Sequence, residues 1–405
     1  MQTRHTPWWM CVIAAVYTVT FFFNARQELW GPANTGWTPA WPTLKVAEVL
    51  PNRPMENAGV RMGDVLEEVN GQPLHGMPDW FVARAHFELD RQVDLQILRG
   101  QQQIALQFAI TEPSWRTWNR VHFLGEVAFY LVRFLLLILA MLVGFSHPDQ
   151  LGARLAALML AVAAVAEGYP SSGWAAALRH LPAVLAIPIC MATTSCLLAA
   201  VIWLAFFASF PRPQLSLRWR WVLTLVPLLI FGIPMVASAI ALVYAPSVLA
   251  RPWPLVFSAV PVRVIQDIAG VTPLLFFNVL PRYRPSAQAA LLELWLAVSI
   301  LYFPAGFAML AASYRRVDDS QERRRVGALC LAVIIFGIMV VHNVLTRNWT
   351  PWFGSAPPWL FSETASVGED ILFLFVPLML AYAVLTEGRC GADRQVQSPA
   401  TKGPM

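Results

Sequence analysis

The sequence carries little charge: Asp, Glu, Lys and Arg make up only 13 % of its 405 residues, while 57 % are hydrophobic. An ordinary soluble domain carries about twice that fraction of charged residues. The chain as a whole therefore does not fit the soluble globular class, and its long apolar runs indicate several membrane-spanning helices. The sequence contains no stripe of basic residues interleaved with aromatics, so we expect no nucleic-acid partner.

The motifs of intramembrane enzymes are also missing. The seven histidines include no two that are four residues apart, the spacing at which a helix presents two imidazoles to one zinc ion. A rhomboid-like serine protease needs a glycine two positions before its serine, whereas Ser195 follows Thr193 and Thr194. Hydrogen bonds from these hydroxyls to their own helix or to a neighbour are the simpler explanation. We therefore predict no enzymatic activity, no catalytic residue, no metal site and no cofactor.

Cysteine is scarce, with five residues in the whole chain. None lies between residues 42 and 112, so no disulfide is expected to stabilise that stretch. Four of the five lie in apolar runs, where a thiol serves as a small apolar filler, and the fifth lies near the carboxyl terminus.

Residues 46–71 stand out because they have the pattern of a small soluble domain. Ala58-Gly59-Val60 is followed after two residues by Gly63-Asp64, and Val69-Asn70-Gly71 ends the stretch with a strong hairpin-turn signal. An amphipathic helix is predicted over residues 77–89. Two alternating strands, near residues 93–97 and 104–108, complete the segment.

This order of motifs resembles the core of a bacterial PDZ domain, and the resemblance covers about residues 42–111. PDZ domains bind extended peptides by adding a strand to a sheet edge. The resemblance implies that a peptide or protein terminus would lie between helix 77–89 and the strand near Val46. The loop expected to receive a terminal carboxylate reads Gly36-Trp37-Thr38-Pro39-Ala40-Trp41-Pro42, which departs from the alternating Gly and hydrophobic pattern of the family. The peptide-binding residues predicted in this way are Trp37, Lys45, Val46, Val49, Trp80, Phe81, Ala85 and Leu89.

The distribution of charge predicts a topology. Five arginines, at positions 315, 316, 323, 324 and 325, share one short loop, and clustered arginines favour the cytoplasmic side. This orientation requires that residues 255–280, interrupted by charges and prolines, do not cross the bilayer. Both termini are then cytoplasmic and the PDZ-like domain is periplasmic, in a multi-pass protein of a bacterial inner membrane.

The predicted fold is a membrane all-α helical bundle of about eight transmembrane helices, with a small α+β PDZ-like domain outside the cytoplasm. Its parts are a signal-anchor helix (1–25), a linker (26–41), the PDZ-like domain (42–112), a seven-helix transmembrane region (120–386) and a disordered cytoplasmic tail (387–405).

The helical region has a resemblance of its own. The loop of residues 313–326, the exit 376–384, and the segments 207–213 and 144–148 resemble the input region of polytopic bacterial sensor histidine kinases and membrane-bound serine phosphatases. The resemblance implies a sensor. No phospho-acceptor histidine box or ATP-binding glycine motif occurs in the sequence, so we expect it to signal through a separate cytoplasmic partner.

Charged residues inside predicted spans form a second set of candidates, because charge in the bilayer is costly and usually functional. Arg133 lies about halfway into its predicted span, and Glu126 or Glu293 would serve as its partner. The leading hypothesis is a membrane sensor or adaptor that binds a peptide. The alternatives are a transporter or small-molecule-binding protein with a pocket among the helices, and a structural membrane scaffold.

Overall fold

The computed structural model describes residues 7–39, 43–118, 120–165, 171–210, 213–244, 285–353 and 375–386. The chain is mostly helical and has a small β-sheet region, in agreement with the coarse fold prediction. The predicted tail at 387–405 and the ambiguous segment 255–280 lie outside the described residues.

Helix α1 runs from Trp8 to Trp30 and ends before Gly31, whose backbone N–H donates to the carbonyl of Gln27. It is longer than the predicted anchor because residues 25–29, Ala-Arg-Gln-Glu-Leu, are all good helix formers. The first part of the expected linker is therefore helical.

An α+β region follows α1. Its elements are β1 (Trp37–Pro39), β2 (Val46–Val49), α2 (Pro54–Asn57), β3 (Val65–Val69), β4 (Gln72–Pro73), α3 (Met77–Ala85), β5 (Gln92–Arg99) and β6 (Gln102–Ala109). β1 pairs with β2, and the remaining strands form a four-stranded antiparallel sheet in the order β4-β3-β5-β6. Strand β1 falls within the stretch that the sequence analysis assigned to a linker.

The predicted hairpin turn at Asn70-Gly71 is confirmed. Val69 pairs with Gln72, so these two residues alone form the loop between β3 and β4. Both have positive φ, 49° at Asn70 and 75° at Gly71, which is the backbone of the type I′ turn that an Asn-Gly pair favours.

The core of the α+β region is apolar and rich in aromatic residues. Val93, Leu95 and Ile97 of β5 are at most 2 % exposed, because alternate side chains of a strand point to the same face. Aromatic rings meet edge to face across the core, and the contacting pairs are Trp37–Trp80, Trp80–Phe87 and Phe87–Phe108.

The described helices after the sheet are α4 (Arg120–Ser146), α5 (Leu151–Val165), α6 (Trp174–Arg179), α7 (Ala183–Thr194), α8 (Ala199–Ser209), α9 (Leu217–Pro227), α10 (Ile233–Tyr244), α11 (Pro285–Arg316), α12 (Ser320–Phe353) and α13 (Phe375–Leu385). A short 3₁₀ turn joins α7 to α8, and a π-helical turn joins α9 to α10. Helices α4 and α5 pack closely, since a Cβ on Gly144 would lie only 3.2 Å from Cβ of Ala157. Small residues permit such an approach between apolar helices.

Two described helical stretches are long and apolar enough to cross a membrane: Trp8–Trp30 and Phe123–Ser146. Helices α7 and α8 would add a third if the pair, bent by 69°, forms one broken span. The count of eight spans stays a prediction.

Candidate functional site

Strand β2, which the sequence analysis chose to receive a peptide, has its edges occupied at Val46. The N–H of Val46 donates to the carbonyl of Asp64 (2.7 Å), and its carbonyl accepts from the N–H of Gly63 (2.9 Å). On the other side β2 pairs with β1, where Trp37 lies opposite Val49. Strand addition at Val46 therefore does not fit, because the backbone groups that it needs are already paired.

Among the described residues, strand β1 has no strand partner on the side away from β2. The N–H of Leu50 donates to the carbonyl of Gly36 (2.8 Å), and Trp37 is the register partner of Val49. Backbone groups alternate in direction along an antiparallel strand, so the N–H and carbonyl of Trp37 point away from β2. The Trp37 ring contacts Trp80 of α3, with centroids 5.3 Å apart. We call the outer edge of β1 together with α3 the β1 groove.

The predicted peptide-binding residues divide into two groups. Trp37, Val46, Trp80 and Ala85 are at most 7 % exposed and belong to the core, so they support the groove but present little side-chain surface. The more accessible members are Lys45, Val49, Phe81 and Leu89. Phe81 packs against the core, and Leu89 is 38 % exposed.

The carboxyl end of α3 is bonded to helix α6, a contact that the sequence analysis did not predict. The N–H of Gly173 donates to the carbonyl of Arg84 (3.0 Å). Gly173 has φ of 76°, and a Cβ at this position would lie 2.7 Å from the carbonyl oxygen of Phe87 and from Cδ of Pro32. Glycine is required here by both its backbone angle and the close approach.

Arg179 connects the same end of α3 to helix α10. Its Nε and Nη2 each donate to the carbonyl of Val243 (3.0 Å), and Nη2 lies 3.2 Å from Nδ1 of His86. Burial and, to a smaller extent, the positive charge of Arg179 lower the pKa of His86, and a hydrogen bond with the backbone of Leu242 partly offsets both, so that the pKa is about 4. We call the contacts of Gly173 and Arg179 with α3 the α3 joint. No local sequence motif predicts the α3 joint, because the residues that it brings together are about 90 positions apart in the chain.

Asp64 and Arg99 form a bidentate ion pair, with Nε to Oδ1 and Nη2 to Oδ2 distances of 2.9 Å. Arg99 also donates to the carbonyl of Gly59, and the N–H of Arg61 donates to Asp64. Burial acts to raise the pKa of the Asp64 carboxyl, but the hydrogen bonds and charges of Arg99 and Arg61 bring it below its usual value. The pair raises the pKa of Arg99. The Gly-Asp turn is thus attached to β5, which is a structural role.

Arg133 is buried in the helical region and is 5 % exposed. Its guanidinium lies over the ring of Phe129 at 4.4 Å and near that of Tyr130 at 5.7 Å. Glu126 is half-buried on the same helix. The side chain of Glu293 falls outside the described residues, so the pairing of Arg133 with Glu126 or Glu293 stays a prediction.

Two of the three hydroxyls at the end of α7, those of Thr194 and Ser195, bond as predicted. Thr194 donates to the carbonyl of Cys190 (2.8 Å), and Ser195 donates to that of Ala192 (2.5 Å). The hydroxyl of Tyr17 on α1 donates to Ser195 Oγ at 2.9 Å. These contacts satisfy the hydroxyls of Thr194 and Ser195 as predicted, whereas the buried Oγ1 of Thr193 has no hydrogen-bond partner among the described residues.

The described residues include no cluster of three or more His, Cys, Asp or Glu side chains that could hold a metal ion. The candidate site consists of the edge of β1, helix α3 and the α3 joint. Comparison of the chain with protein-family models, curated proteins and solved structures found no match.

Proposed function

We propose that the chain is a membrane-integral sensor or adaptor. Its α+β region binds an extended peptide or protein terminus, and its helices anchor the event or relay it to a separate cytoplasmic partner. The observation that carries this proposal is the α3 joint, because the helix that borders the groove is bonded directly to α6 and, through Arg179, to α10. A peptide that displaces α3 must strain or break these contacts, which couples binding to the helical region.

The proposed binding mode is strand addition to β1. The outward N–H and carbonyl of Trp37 would pair with the peptide backbone, and Phe81 and Leu89 of the α3 segment would contact its side chains. Pro39 has no N–H, so the edge provides few hydrogen bonds. Selectivity would therefore come mainly from the side chains of α3.

The proposed location is a bacterial inner membrane. The stretches Trp8–Trp30 and Phe123–Ser146 are the candidate spans that support it. They flank the α+β region in sequence, so both of its connections would lead to the same face of the bilayer. We place that face in the periplasm, with the arginine loop and the termini in the cytoplasm.

The experiment is photocrosslinking in cells from a photoreactive residue at Phe81, with the same residue at Gln101 in the β5–β6 turn as a control. We expect a defined peptide or protein terminus to be captured at Phe81 and not at Gln101. Leu89→Asp should abolish the capture, because it introduces a charge at the edge of the groove, while Arg91→Ala should not. Equal capture from Phe81 and Gln101, or capture that survives Leu89→Asp, would contradict the groove.

A second candidate function is a transporter or small-molecule-binding protein. The observation that favours it is Arg133, a buried cation whose aromatic surroundings are suited to a partly apolar anion. Arg133→Gln should then abolish binding of that small molecule while capture at Phe81 is unchanged. An Arg133→Gln protein that behaves like the wild type leaves the sensor, or a structural scaffold, as the function.

A further inference from the structure

Strand β6 forms the outer edge of the four-stranded sheet. The N–H of Asn70 donates to the carbonyl of Asp94, so Asp94 directs its backbone groups toward β3. The neighbouring residue Val93 therefore faces β6, where its partner is Phe108. Alternation along β6 then leaves the backbone groups of Gln103, Ala105, Gln107 and Ala109 pointing outward.

This edge lacks two of the features that protect exposed strands, although α2 packs beside part of it. Residues Gln102–Ala109 include no charged residue and no proline, and natural edge strands usually carry one or the other to prevent further pairing. Among the residues that the structure describes, β6 has β5 as its only strand partner. The four outward-facing residues of β6 are therefore the ones with which an added strand would pair.

A cleft of about 370 Å³ lies along the carboxyl-terminal end of this edge. The end of β6 forms one wall, and α2 with its preceding turn forms the other. An extended chain placed between a strand edge and a helix is the usual geometry of strand addition. The polar residues that line the cleft are Asn52, Arg53, Asn57, Gln107, Thr111, Glu112 and Thr117.

Arg53 is the cation of this cleft and is held in position. Its Nη2 donates to the carbonyl of Thr117 (2.7 Å), and its Cβ lies so close to Gly36 that a Cβ there would clash at 2.1 Å. Within the described part of the chain, no carboxylate lies at ion-pair distance from Arg53. The guanidinium has five N–H donors, so most of them are available to a carboxylate from outside.

We propose that the cleft between β6 and α2 is a second peptide-binding site, which accepts an extended segment that adds to the edge of β6 and places a carboxylate against Arg53. The carboxylate is either the terminus of the peptide or an Asp or Glu side chain. The site is separate from the β1 groove and does not depend on it. Its lining includes Ala33 and Thr117, which belong to the two connections between the α+β region and helices α1 and α4.

The test uses the full chain in lipid nanodiscs and a phage-displayed library of random short peptides. We expect enrichment of peptides that contain an acidic residue or require a free carboxyl terminus. Gln107→Pro removes an outward N–H, whereas Gln107→Thr keeps it; both lose the side-chain bond to Asp94. Gln107→Pro should weaken binding of an enriched peptide about tenfold or more, and Gln107→Thr by less than about threefold.

Two further comparisons identify the carboxylate. Arg53→Gln should weaken binding by about tenfold or more, while Arg53→Lys keeps the charge and most of the affinity. Amidation of the peptide terminus distinguishes a terminal carboxylate, whose binding it abolishes, from a side-chain carboxylate, whose binding it leaves unchanged. Hydrogen exchange of β5 should be the same in all four variants, which confirms that the sheet is intact.

Three results would overturn the proposal. The first is that no peptide is enriched. The second is that enriched peptides bind Gln107→Pro as tightly as the wild type, which would assign them to another surface such as the β1 groove. The third is a dimer in the nanodisc that Gln107→Pro dissociates without any peptide being enriched, which would show that β6 pairs with a second copy of the chain.

Discussion

The α+β region and the helical region satisfy their buried polar groups in different ways. In the α+β region Asp64 pairs with Arg99, which is 35 residues away in sequence. In the helices, hydroxyls such as those of Thr20 and Thr194 donate to carbonyls four residues earlier. A helix satisfies its backbone locally, whereas a sheet can satisfy its backbone only between distant segments. The backbone of the first region thus depends on pairing between distant segments, whereas the helices satisfy their backbone locally and add long-range side-chain bonds such as that of Tyr17 to Ser195.

The two regions meet at the α3 joint, where Gly173 and Arg179 contact the end of α3. The difference between the regions therefore predicts that damage to one should leave the other folded, except when it strikes the joint. Hydrogen exchange measured by mass spectrometry on the full chain in nanodiscs resolves the two regions separately.

The largest effect is expected from Trp80→Ala. The Trp80 side chain is 3 % exposed and contacts both Trp37 and Phe87, so its removal should cost the α+β region about 3–5 kcal/mol. Hydrogen exchange should rise throughout β1–β6 and stay unchanged in α4 and α5. The control, Trp115→Ala, removes a ring that is 39 % exposed and should have a small effect. Equal loss of protection in α4 and α5 would show that the regions are one cooperative unit.

Acidification should loosen the α3 joint. The folded state holds the pKa of His86 near 4, below its ordinary value of 6.5. The joint is therefore fully stable above about pH 6.5 and loses stability as pH falls toward 4, by on the order of 3 kcal/mol, because His86⁺ would be buried beside Arg179. Exchange of α6 amides measured against pH gives the profile. His86→Gln should flatten it, and a profile that is unchanged in His86→Gln would exclude this residue as the cause.

Asp64→Asn should weaken the α+β region by about 1.5–3 kcal/mol, because charge-assisted hydrogen bonds from Arg99 and Arg61 are lost in a buried position. The lowered pKa of Asp64 means that this stabilisation is present above its ordinary pKa and is lost as pH falls through the folded value. Amide exchange of β3 and β5 reports the change. Asp94→Asn, at an exposed position on β5, is the matched control, and an equal effect of both would contradict a special role for the pair.

Gly173→Ala should produce a smaller loss, confined to the joint. The backbone angle alone makes alanine unfavourable by about 1–2 kcal/mol, and the new Cβ would meet Phe87 and Pro32. Gly100→Ala is the control, since Gly100 also has positive φ but open space around it. We expect faster exchange of α6 in Gly173→Ala only. The same exchange in both variants would mean that the close approach does not hold the regions together.

Much of the α+β region could be predicted from local sequence. The Asn70-Gly71 turn, the helix near Met77–Ala85 and the alternating strands β5 and β6 were all anticipated, because turn residues and apolar periodicity act over a few neighbouring positions. The extension of α1 beyond residue 25 was underestimated, although its residues favour a helix. The sequence favoured the strand near Val46 as the one that binds a peptide, whereas in the structure β1 lies at the edge. Local sequence does not reveal this, because strand order depends on pairing between separate segments.

The sequence by itself determined the apolar composition that indicates membrane spans, the position of the α+β region after the first helix, and the turns within it. Only the tertiary structure decided which backbone edges are free, that Trp37 and Trp80 are buried together, and that Arg179 meets His86. Periodicity and turn propensity are short-range properties that can be read along the chain. An edge, a buried pair and a joint exist only where distant segments meet, so no local pattern of residues specifies them.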